Sequence, residues 1–256
     1  MTASPPGATL SPDSFSYASS PDPIRPDLSA AHRAAWLHIA SAGAWLSGEE
    51  RIAVAAETRA ARDCALCVKR KAALSPYADG AQHEAHAPLP APLVDAIHRV
   101  TTDAARLTRR WYEGLAPAGI PDELYVEAIG VAVIAVSVDA FHRALGLALE
   151  PFPKPAPGAP SSAKPVGVVR GEAWVPMIDP RSAADSERDL FPGGRTAYVI
   201  RALSLVPNEV RAWTALSGAQ YLSLARMREQ ETGRALDRAQ IELVAGRVSA
   251  LNGCFY

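Results

Sequence analysis

Cysteine is scarce in this chain, net charge is almost nil, and no apolar leader opens it. Three cysteines in 256 residues cannot build the disulfide framework of a small secreted domain. Lys and Arg total 26 against 27 for Asp and Glu, a net charge of −1. That balance supplies no basic face for nucleic acid and none for an anionic membrane. The N-terminus lacks a basic start followed by an apolar core, so no secretory signal is expected and the reducing cytoplasm is the expected compartment. The apolar stretch AIGVAVIAVSV at 128–138 is far shorter than a span of about 20 residues. Glu127 and Asp139 bracket it, and it predicts a buried core helix. No window alternates in the manner of a strand. With no Gly-rich phosphate loop or haem-ligating motif, no nucleotide, flavin or haem cofactor is expected.

What the chain does have is an apolar fraction of 48%, enough for a real core, and one element written twice. Ser47 with Glu50 three residues on, and Asp237 with Gln240 three residues on, are capping-box patterns. Each opens a helical run that ends at a cysteine 17 residues after the cap, Cys64 in the first copy and Cys254 in the second. Cys64 begins a Cys-x-x-Cys with Cys67. Cys254 is followed only by Phe255 and Tyr256.

Helical periodicity dominates elsewhere, and the expected fold class is all-α, two helical repeats of which the second is incomplete at its C-terminus. Residues 1–26 hold six prolines and many serines and predict a disordered tail. The first unit, 27–148, predicts helices over 29–46, 47–63, 64–74, 93–107, 109–115 and 121–146, with a loop at 75–91. Nine of the 22 prolines fall in 149–193, which predicts a linker, ordered where WVPMI at 174–178 packs on a neighbour. The second unit, 194–256, predicts helices over 196–205, 207–221 and 237–251, and a short one near Leu224.

The candidate chemistry starts at Cys64 and Cys67. Two thiols three apart at a helix start can cycle with a disulfide, one thiolate attacking an oxidant and the other resolving the sulfenic acid. They also read as buried structural cysteines, or as half of a zinc site. Zinc needs two further ligands, and no second Cys-x-x-Cys or His pair has usable spacing, so no metal is expected. Glu57, seven residues before Cys64 and on its helix face, and Lys71, four after Cys67, are candidates for moving or stabilising a proton there. His142, in the long apolar helix, is a third. By composition alone Glu57 reads as part of a solvated face and His142 as a core or edge histidine.

The second copy, QIELVAGRVSALNGCFY, resembles the active-site helix of AhpD-like alkylhydroperoxidases, in the carboxymuconolactone decarboxylase superfamily. The resemblance runs back through NEVRAW and VIRALSLVP, and more weakly over residues 28–150. Their pattern is a Glu twelve residues before a Cys-x-x-Cys, and a His four after it. Glu242 stands twelve before Cys254. The resemblance implies that Glu242 serves the proton relay, that Cys254 resolves, and that the attacking residue belongs at position 257, directly after Tyr256, as cysteine or selenocysteine. In the first copy Ile52 and Lys71 stand where Glu and His would. The resemblance further implies hydroperoxide reduction, a thioredoxin-like or lipoyl-protein reductant, and a homo-oligomer. Two other readings remain: a carboxymuconolactone decarboxylase-like enzyme, against which the Cys-x-x-Cys counts, and a non-catalytic helical scaffold.

Overall fold

In the computed structural model the helix that everything else packs around is α6, Asp122–Ala144. Pro121 caps it in an extended conformation, and Asp122 and Glu123 in its first turn complement the positive end of the helix dipole. The described residues are 9–254, excepting 172, 193, 195, 196, 224, 225 and 230. Among them the fold is all-α, with nine α-helices, some 3-10 turns and one two-stranded ribbon. By length and composition α6 could cross a membrane. Here it is a core helix: Val131, Ile134, Ala135 and Val138 are buried against Trp36, Ile39, Val54, Leu93 and Ile97. Full burial of side chains of this size contributes about 1.5–3 kcal/mol each.

Around α6 lie α1 (Pro26–Ala40), α2 (Gly48–Ala61), α4 (Ala91–Asp103) and α8 (Pro207–Gln220). The short helices α3 (Ala65–Ala72), α5 (Arg109–Glu113) and α7 (Tyr198–Arg201) lie at the edges, and α9 is Arg238–Leu251. Both capping boxes form. Ser47 N–H donates to Glu50 at 2.7 Å, and Asp237 N–H donates to Gln240 at 3.0 Å, with the return bonds made as well. The two capped helices are each 14 residues long and end three residues before their cysteines. Their surroundings differ. Eight residues of α2 are buried, whereas α9 buries none and exposes Leu243, Val244, Val248 and Leu251.

Several boundaries depart from the pattern in the sequence. The tail expected over 1–26 fails from residue 9 onward, the first eight lying outside the described residues. Phe15 packs edge-on against Trp36 with ring centroids 5.5 Å apart, and Tyr17 bonds to both His32 and His142. Aromatic side chains fixed one per few residues anchor a Pro-rich segment that composition marks as unfolded. Residues 149–193 are no free linker either. Ala156, Ser161 and Ser162 donate backbone hydrogen bonds to Ala40, Gly43 and Ala44, strapping the segment to the α1–α2 turn. Val168–Val169 and Met177–Ile178 pair as antiparallel strands β1 and β2, with Met177 and Ile178 buried.

Nor do the two expected units stand apart. Leu216 of α8 belongs to the core of α1, α2, α4 and α6, and Val126 of α6 belongs to a second cluster with Ile178, Phe191, Ile200 and Val210. A buried ionic cluster seals the junction. Arg51, wholly buried, donates to Glu127 at 2.6 Å and to Glu209 at 2.8 Å, and His38 lies 3.0 Å from Glu209. The turn near Leu224 is a 3-10 turn at Arg226–Arg228, and Leu224 itself lies outside the described residues.

Candidate functional site

Cys64 is the extended residue that caps α3, and Cys67 lies one turn in. Both thiols are free; Cys64 is partly exposed and Cys67 buried. Burial pushes the Cys64 thiol up, but the N–H groups of Cys67 and Leu66, His83 and the neighbouring thiol outweigh it and hold it below the range of a free thiol.

Two histidines meet this pair. His98 of α4 places Nδ1 3.4 Å from Cys67 Sγ, and its Nε2 donates to Glu57 at 3.0 Å. His83, from the 75–90 loop, places Nδ1 3.4 Å from Cys64 Sγ and 4.0 Å from Cys67 Sγ, and its Nε2 lies 3.2 Å from Asp95. The two imidazole rings are 4.1 Å apart. Burial and the positive His83 lower His98 despite its bond to Glu57. His83 goes the other way: burial alone would lower it, but hydrogen bonds to Asp95 and to both thiols hold it at about 10. Asp95, bonded to His83, Arg99 and Arg70, is held well below the usual carboxylate range although burial opposes this.

The loop that carries His83 is pinned on both sides. Buried Arg70 of α3 donates to the carbonyls of Asp79 at 3.2 Å and Ala81 at 2.7 Å, and to Asp95 at 2.6 Å. On the other side, Glu57 accepts from the backbone N–H groups of His86 at 2.5 Å and Ala87 at 2.6 Å. Glu57 is 0% exposed, so it is not part of a solvated face. Its carboxylate is instead satisfied by three donors, as a buried charge must be.

The other residues singled out by sequence go elsewhere. Lys71 is exposed on the last turn of α3. His142 is buried among Phe15, Tyr17 and Phe141, with Nδ1 donating to Ala148 O at 2.7 Å, and serves that cluster rather than the dithiol. Glu242 on α9 is exposed, accepting from Tyr221 at 2.6 Å and pairing with Arg238, and does not bond Cys254. Cys254 is an exposed free thiol.

Sequence reasoning missed His83 and His98. The expectation that no further ligand stands near Cys64 and Cys67 is therefore corrected: the four donor atoms lie within 4.8 Å of one another. His98 carried a signal, since it follows Val94 by four residues and so shares the buried stripe of α4. His83 carried none, being brought in by Arg70 and Glu57. No protein-family model, curated protein or solved structure matches this chain.

Beside the site, Asp95 also forms part of the wall of an open cleft of about 730 Å³, lined otherwise by Tyr77, Pro92, Trp111 and Leu115 among others. His83, which contacts both thiols, thus shares the Asp95 carboxylate with this mainly apolar cleft.

Proposed function

We propose that the chain is a thiol-dependent peroxidase or thiol–disulfide oxidoreductase working through Cys64 and Cys67. The observation that carries this reading is the hydrogen-bonded series Glu57–His98–Cys67, in which a buried carboxylate orients an imidazole against a buried thiol. This is the nucleophile, base and orienting group of general-base activation.

Cys64 attacks, because it is the more exposed thiol and the one whose thiolate is favoured. Its sulfur takes the terminal oxygen of the hydroperoxide as the O–O bond breaks. The departing alkoxide takes a proton from His83, leaving an alcohol and a sulfenic acid on Cys64. His98 then removes the Cys67 proton, the Cys67 sulfur displaces hydroxide from the sulfenic sulfur, and that proton converts the hydroxide to water. The product is a Cys64–Cys67 disulfide. A thioredoxin-like or lipoyl-protein dithiol returns two electrons, and a reducing compartment suits the cycle.

The test is hydroperoxide consumption by the full chain with reduced lipoamide or dithiothreitol. Turnover lost in both Cys64→Ser and Cys67→Ser is the expected result. No consumption above buffer overturns the reading and leaves a helical scaffold.

A further inference from the structure

We propose that Cys64, Cys67, His83 and His98 form a closed, tetrahedral Zn²⁺ site in the reduced protein. Among the described residues this is the one group of its kind able to hold a metal ion, with all four donor atoms within 4.8 Å of one another. Zn–S bonds of about 2.3 Å and Zn–N bonds of about 2.0–2.1 Å imply ligand-to-ligand edges of roughly 3.3–3.8 Å. Three of the four sulfur–nitrogen separations are 3.4, 3.4 and 4.0 Å.

Ring orientation is the second, independent observation. Both imidazoles turn Nδ1 toward the sulfurs and Nε2 toward a carboxylate, His98 to Glu57 and His83 to Asp95, with Arg70 Nη1 also 2.9 Å from His83 Nε2. Such carboxylate–imidazole pairs fix the tautomer and orientation of a zinc-bound histidine. The metal site uses both rings at once, each through the nitrogen that faces the sulfurs. Two thiolates with two imidazoles suit zinc, not the oxygen-seeking Mg²⁺ or Ca²⁺. With four protein donors the site leaves no open position, so it joins α3, the 75–90 loop and α4 instead of activating water.

Metal and disulfide exclude one another, because both need the same sulfurs. On the redox reading above, which this consequence alone rests on, a hydroperoxide takes two electrons from the two thiolates and two protons from solvent. The S–S bond forms, the O–O bond breaks to give alcohol and water, and Zn²⁺ leaves.

The experiment uses the full reduced chain, stripped with chelator and reloaded with ZnCl₂, and in parallel with CoCl₂. Expected are about one zinc per chain and a tetrahedral thiolate–cobalt spectrum, both lost in His83→Ala and in His98→Ala. Glu57→Gln and Asp95→Asn keep all four ligands and should weaken zinc binding by about 10–100-fold. Circular dichroism of each variant separates ligand loss from unfolding. Zinc no higher than in the Cys64→Ser/Cys67→Ser chain overturns the site, and zinc retained at full affinity by both folded histidine variants overturns the ligand set. Zinc held stoichiometrically but not released by excess hydrogen peroxide overturns the redox reading and leaves the metal site standing.

Discussion

Glu57 and His98 are 41 positions apart and joined by a 3.0 Å hydrogen bond between two wholly buried side chains. The bond turns the free ring nitrogen of His98 onto Cys67, and it makes Glu57 the fixed point of the site. The same carboxylate also holds the loop that delivers His83.

On the proposed redox cycle, removal of His98 as base should slow resolution of the sulfenic acid more than its formation. General acid–base groups contribute about 10²–10⁴-fold, so His98→Ala is expected to reduce disulfide formation by about 10²-fold at neutral pH. Rapid-quench thiol counting after a peroxide pulse checks it: sulfenic acid at Cys64 should accumulate in the variant.

Alkylation should distinguish the two cysteines. In the metal-free chain Cys64 is expected to react with iodoacetamide faster than Cys67, with a midpoint below the free-thiol value of about 8.5. His83→Ala removes one of the groups that hold Cys64 down, so its midpoint should rise. Peptide mapping across a pH series reads both effects.

Acid should weaken the fold through His32. This buried ring bonds Tyr17 and Gln220. Burial, and then the charge of His142, depress it to about 4, against about 6.5 in an unfolded chain. The native state therefore binds fewer protons than the unfolded one between those values. Stability is fully present above about pH 6.5 and falls as pH drops toward 4, by up to about 3 kcal/mol from this group. Urea midpoints at pH 7 and pH 5 test it, and His32→Gln should flatten the difference.

Breaking the buried ionic cluster should be severe. Arg51→Ala leaves Glu127 and Glu209 facing each other without their shared cation, and loss of one partner of such a buried pair costs about 3–5 kcal/mol. Thermal melts should show the loss, and adding Glu127→Gln and Glu209→Gln should return part of it.

Much of this molecule is legible within a few residues of chain. Caps, helix periods and the buried stripe of α6 depend on neighbours three or four positions away, so both capping boxes, the all-α class and most helix spans follow from reading along the sequence. The Cys-x-x-Cys at a helix start is local in the same sense. What lies beyond local reach is which of two similarly capped helices becomes buried. α2 meets α4 and α6, whereas α9, with the same cap and length, packs no residue into a core. The site has the same origin. His83 and His98 stand 19 and 34 positions after Cys64, and no spacing rule pairs them with it. Arg70 and Glu57, each bonding to backbone across the 75–90 loop, are what bring them together. Sequence alone thus settled the helices and the dithiol, because those rest on contacts within a turn or two. Tertiary structure decided the histidines and the fate of each capped helix, because buried charges must find partners wherever the packing places them.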